Sequence, residues 1–140
     1  MTHEFPAPKD GIALTYLVVS ADVPRSRQFY IDVLGGEAVL ATDEFSIVAI
    51  ANGWVTITAP GGPTQDKPTV TLEAPADLNC VSGFLSVRVA DIHAVYDEWR
   101  ERGAQFLTPP IDHGREIRCY MRDPDGHLIE IGQLVAERGN

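Results

Sequence analysis

The chain has 140 residues, 44% of them hydrophobic and 22% charged, and a formal net charge of −9. That length can bury the core of one domain, and the composition is ordinary for a globular protein. The acidity disfavours a nucleic-acid partner, because a phosphate backbone selects for a basic stripe.

No apolar run approaches the roughly 18 residues of a membrane span, and there is no basic cluster suited to a membrane surface. The N-terminus lacks the basic start and apolar core of a signal peptide, so a cytoplasmic setting is expected. Cys80 and Cys119 are too few for a disulfide framework and are expected to be free thiols packed as small buried hydrophobes.

In chain order, residues 1–11 are Pro-rich and polar and read as a tail. Residues 12–20 form an apolar strand. Asp22 then caps a helix with Pro24 in its first turn, and Gly35-Gly36 ends it. Three strands follow at 37–41, 45–51 and 54–59, with Asn52-Gly53 as the hairpin signal between the last two. Residues 60–68 are rich in Gly and Pro and open a linker, in which 70–73 is expected to be a short edge strand.

Residues 84–89 are a strand and Asp91 caps a second helix. Its Ile92, Val95, Tyr96 and Trp99 form one apolar stripe, while Glu98 and Arg102 pair on another face. Residues 105–108 form a short strand broken by Pro109-Pro110, 111–114 read as a loop, and 115–122 with 127–133 form a closing hairpin. Asp123-Pro-Asp-Gly126 is its turn, because Pro presets φ and Gly supplies a positive φ.

The two halves repeat. Asp22 and Asp91, about 70 residues apart, each cap a helix that follows a strand and ends in glycine. The expected fold is α+β: two tandem βαβββ modules, about 12–60 and 81–133, forming a curled mixed sheet around a shared cleft. The linker covers about 61–80, and residues 1–140 read as a single domain. Such a module buries one sheet face under its helix and leaves the other open.

Glu130 is the odd residue of the last strand, a carboxylate between Ile129 and Ile131. It suits a metal ligand, a general base or half of an ion pair. The strand–Asp22–helix–Phe29-Tyr30 entry, the strand–Asp91–helix–Gly103 entry and the closing Arg122-Asp-Pro-Asp-Gly-His-Leu-Ile-Glu130 together resemble the vicinal oxygen chelate superfamily. That group includes glyoxalase I, bleomycin resistance proteins and extradiol dioxygenases.

The resemblance implies four cleft-facing positions that hold a metal in the metal-using members. Here they fall on Thr15, Ile57, Phe84 and Glu130. Only Glu130 is a good ligand, and a Phe removes a donor while adding bulk. No metal site and no other cofactor is therefore expected, although a divalent metal on a rebuilt site that uses His113 remains an alternative. The resemblance also implies a homodimer.

Strand alternation sorts the cleft face. It places Thr15, Leu17 and Val19 there from the first module, and Phe84, Ser86, Arg88, Glu116, Arg118, Tyr120, Leu128 and Glu130 from the second. Ile117, Cys119, Met121, Ile129 and Ile131 lie behind. Glu130 either pairs with Arg88 or Arg118 to hold the sheet, or contacts a ligand.

The leading expectation is a metal-free protein that binds a small organic molecule through Thr15, Phe84, Ser86, Arg88, Arg118, Tyr120 and Glu130. The alternatives are a lyase, isomerase or dioxygenase with Glu130 as its catalytic base, and a domain that works through protein contacts.

Overall fold

The protein is described from a computed structural model over residues 5–135. Part of each expected polar tail, residues 1–4 and 136–140, lies outside the described residues. The chain divides into two compact units, Met1–Ala76 and Asp77–Asn140.

The first unit runs β1 (Thr15–Val19), α1 (Val23–Asp32), β2 (Glu37–Ala41), β3 (Phe45–Ile50) and β4 (Gly53–Thr58). Its four strands hydrogen-bond in the order β1-β4-β3-β2, with β1 parallel to β4 and the other pairs antiparallel. Asp22 caps α1 by accepting from the Arg25 N–H at 3.2 Å, which satisfies one of the helix's orphan donors. One sheet face is packed with Val18, Val48, Val55 and Ile57, and Tyr30 of α1 is also fully buried. Arg27 of α1 donates from Nη1 to Ser46 Oγ at 2.8 Å and to the Thr42 carbonyl at 2.9 Å. Those bonds place Ser46, and with it Val48, on the helix side of β3.

The hairpin joining β3 to β4 turns one residue earlier than its sequence signal. Ile50 pairs with Gly53, so the loop residues are Ala51 and Asn52, and the positive φ of 51° falls on Ala51. Residues 70–73 do not form a strand. Two hydrogen bonds make an isolated bridge there, Gly61 N–H to Leu72 O at 3.0 Å and Leu72 N–H to Gly61 O at 2.7 Å. Pro60, beside the bridge, has no N–H with which to extend the ladder.

The second unit runs β5 (Leu85–Arg88), α2 (Ile92–Glu101), β6 (Gln105–Phe106), β7 (Ile111–Asp112), β8 (Glu116–Arg122) and β9 (Leu128–Leu134). It repeats the first topology, in the order β5-β9-β8-β6, with β5 parallel to β9. Residues 111–114, expected to be a loop, contain β7, which pairs with β8 through Ile111–Arg118 and Asp112–Ile117. Strands β6 and β7 are one edge position interrupted at Pro109-Pro110, because proline has no N–H for the ladder.

Asp91 caps α2 by accepting from the Ala94 N–H at 3.1 Å. Glu98 and Arg102 pair along the helix as expected. Gln133 fixes which face of β9 meets α2: its Oε1 accepts the Ile92 N–H at 2.8 Å. Ile129, Ile131, Cys119 and Met121 share that face and are buried. Cys119 therefore behaves as the small buried hydrophobe expected, whereas Cys80 is exposed, in a loop outside either sheet.

Candidate functional site

The exposed face of the second sheet reads as a grid whose rows are set by strand register. Ser86, Glu130 and Tyr120 form one row across β5, β9 and β8. Arg88, Gly132 and Arg118 form the next, extended by Ile111 of β7. Directly paired residues point to the same side, so each row is a line of neighbouring side chains.

Glu130 is held from two sides. Its Oε1 accepts the Ser86 hydroxyl at 2.7 Å and its Oε2 accepts the Tyr120 hydroxyl at 2.9 Å. Arg88 lies 3.8 Å from Oε1, close enough for charge attraction but too far for a good hydrogen bond. The side chain of Glu130 is 14% exposed, so its charge is largely withdrawn from water and supported by two hydroxyls and a nearby cation. Burial and the adjacent Glu130 carboxylate raise the Tyr120 phenol above its ordinary pKa, keeping it a donor. Phe84, immediately before β5, stands edge-on to Tyr120 with ring centroids 5.7 Å apart.

Arg88 bonds Glu116 instead of Glu130, donating from Nη1 to Oε1 at 3.2 Å. Arg118 does not pair with Glu130, whereas the other expected partner, Arg88, stands at ion-pair distance from its Oε1. Arg118 faces Oε2 of Glu116 at 3.8 Å, because strand alternation sets it two residues from Glu116 on the same side of β8. Gly132 makes the Arg88 position possible. A Cβ there would lie 2.9 Å from Arg88 Cζ and 3.3 Å from Glu116 Oε1, so any side chain would evict the guanidinium.

The turn that presents Glu130 is built as the sequence suggested. Asp123 is buried, and its Oδ1 accepts the Asp125 N–H at 3.0 Å and the His127 N–H at 2.9 Å. Gly126 takes φ 97°, and Leu78 packs where its Cβ would be.

Thr15 lies in the first unit, exposed on β1 and paired with Trp54. Leu17 shares its exposed side, whereas Val19, expected there too, is buried. The position matching Glu130 in that unit is Thr56, not Ile57. Leu17 stands to Asp22 as Ser86 stands to Asp91, and the register pairs Leu17 with Thr56 just as it pairs Ser86 with Glu130. Ile57 is on the helix side and fully buried. The β3–β4 hairpin turns one residue earlier than Asn52-Gly53 signals, and this shifts the matching position from Ile57 to Thr56.

A metal does not fit this donor set. Among the described residues no three His, Cys, Asp or Glu side chains come together as a ligand group. The two nearest carboxylates, Glu116 and Glu130, already face two guanidiniums, which occupy the space and supply the charge that a cation would. His113 is exposed in the loop after β7, where its backbone N–H donates to Glu116 O at 2.8 Å.

A family model described as the Glyoxalase/Bleomycin resistance protein/Dioxygenase superfamily matches residues 12–131, nearly the whole chain. The chain belongs to that superfamily. Within it, the sequence is 28% identical over 123 residues to a probable lactoylglutathione lyase of Synechocystis sp., covering 84% of this chain and 91% of that protein. It is 29% identical over 126 residues to biphenyl-2,3-diol 1,2-dioxygenase 3 of Rhodococcus globerulus, covering 83% of this chain and 60% of the dioxygenase.

Among solved structures, a superfamily member from Nocardioides superposes with a TM-score of 0.72 at 20% identity, covering 96% of this chain and 89% of that one. An antibiotic-binding protein from Streptomyces sp. CB03234 superposes with a TM-score of 0.65 at 18% identity, covering 91% and 99%. At these identities the superpositions establish the fold of the superfamily and nothing finer.

Proposed function

We propose that this superfamily member binds a small organic molecule on the exposed face of its second sheet, without a resident metal or other cofactor. One observation carries the reading: a carboxylate held by two hydroxyls, with two arginines in the adjacent row, lies on the open side of a sheet whose other side is packed under a helix. The antibiotic-binding neighbour shows that the same fold elsewhere carries a binding function.

A second reading is an enzyme of the lyase or dioxygenase kind with Glu130 as base, and the names of the sequence relatives favour it. The donor set counts against its metal-dependent form. A homodimer in a cytoplasmic setting belongs to the same proposal.

Metal analysis separates the two readings. Purified protein is expected to carry no stoichiometric Zn, Ni, Mn or Fe, and finding any of them at one per chain would overturn the metal-free reading. Glu130→Gln is expected to melt within a few degrees of the wild type, since the site is partly open and such changes typically cost about 1 kcal/mol. Its binding of an aromatic ligand identified by thermal shift should fall by about tenfold or more, as expected for a lost charged hydrogen-bond acceptor.

A further inference from the structure

Arg88 and Arg118 flank Gly132 in one row of the second sheet, with no side chain between them. The Glu116 carboxylate bridges the gap, with Oε1 3.2 Å from one guanidinium and Oε2 3.8 Å from the other. One oxygen toward each of two arginines is how a carboxylate ligand would sit. Yet this pairing is open to water: the side chains of Arg88, Arg118 and Glu116 are 50%, 35% and 30% exposed. Exposed ion pairs of this kind hold their closed form by no more than about a fivefold population ratio.

We infer that Glu116 is an internal stand-in for the carboxylate of an organic acid, which displaces it and bridges Arg88 and Arg118 over Gly132. The inference rests on the binding function proposed for this face and specifies its ligand class. Glu130 refines that class. It lies one step of strand pleat from Gly132, about 7 Å along β9, and its carboxylate has about four acceptor sites, of which Ser86 and Tyr120 take two. Because Glu130 Oε1 lies 3.8 Å from the Arg88 guanidinium, an acid carrying a hydroxyl or amine about one aromatic ring away from its carboxylate can satisfy both rows at once. The edge-on rings of Phe84 and Tyr120 border that second row and suit a flat, unsaturated body.

Calorimetric titration of the full-length protein with three probes tests this: 4-hydroxybenzoate, 4-methoxybenzoate and 4-hydroxybenzamide. The acid with the free hydroxyl should bind most tightly, with each other probe weaker by about tenfold. Glu116→Gln should tighten 4-hydroxybenzoate by about fivefold, because it removes the competing carboxylate. An increase in affinity cannot arise from misfolding. Arg118→Ala should lose binding, and its melting temperature would show that it is folded.

Equal affinity for the acid and the amide, or no gain in Glu116→Gln, would overturn the stand-in and leave the binding face intact. Failure of all three probes with wild type and Glu116→Gln alike would overturn this ligand class. The broader binding function would then fall only if other organic molecules also left the face unperturbed.

Discussion

At the scale of single residues, the two thiols differ more than the sequence indicated. Cys119 lies between the second sheet and α2, and burial pushes its pKa up from 9.0 to about 11. A thiol whose folded pKa is raised contributes stability that is intact below pH 9 and is lost as pH climbs toward about 11, because the unfolded chain ionises first. The urea midpoint should therefore fall across that window, and Cys119→Ala should flatten the fall without abolishing it, since the Tyr120 phenol is raised as well. Labelling with a thiol reagent at neutral pH should modify one cysteine per chain rapidly, the exposed Cys80, and the second only under denaturant. Equal labelling rates would contradict the packing of Cys119.

The residues on the open face were legible because alternation along β8 and β9 separates Tyr120 and Glu130 from Cys119 and Ile131 without ambiguity. Partner choice was not. Whether Arg118 reaches Glu130 or Glu116 depends on rotamers, and the Arg88 position depends on the missing side chain of Gly132. A glycine inside a strand was the available signal, since it often marks a close approach.

At the scale of elements, both helices start where a capping aspartate says they should, because Asp22 and Asp91 accept the first-turn N–H groups of Arg25 and Ala94. Replacing Asp91 by Ala should lower the unfolding free energy by about 1 kcal/mol, measured from the urea midpoint at constant slope. An unchanged midpoint would mean that the Gln133 bond to the Ile92 N–H suffices to anchor that end. Hairpins were less faithful to their signals. Asp123-Pro-Asp-Gly126 formed as expected because Asp123 accepts two backbone N–H groups inside the turn. The β3–β4 turn slipped by one residue, with Ala51 taking the positive φ, and that slip moved the Glu130 counterpart from Ile57 to Thr56. Strand β7 was missed because two residues after a proline pair carry too little periodicity to read.

At the scale of the whole chain, one βαβββ plan carries two chemically different faces opposite its helices, and in the first unit Thr56 and Ile47 of that face are buried while Leu17 is exposed. The row Ser86–Glu130–Tyr120 of the second unit corresponds to Leu17–Thr56–Ile47 of the first, which holds no charge. The repeat was visible in the spacing of Asp22 and Asp91, and with the closing Arg122–Glu130 stretch it resembled the superfamily that the match over residues 12–131 establishes. Repetition of a fold did not carry repetition of chemistry, because the face packed under the helix is constrained by that packing while the opposite face is free to vary.

The central claim is that the open face of the second sheet binds an organic molecule without a metal. Amide chemical-shift mapping tests it most directly, on full-length protein dialysed against EDTA and titrated with a panel of neutral and charged aromatic compounds. At least one compound should shift resonances clustered at Ser86, Arg88, Arg118, Tyr120 and Glu130. Shifts confined to other surfaces, shifts that appear only when a divalent metal is restored, or no shifts with any compound would contradict it.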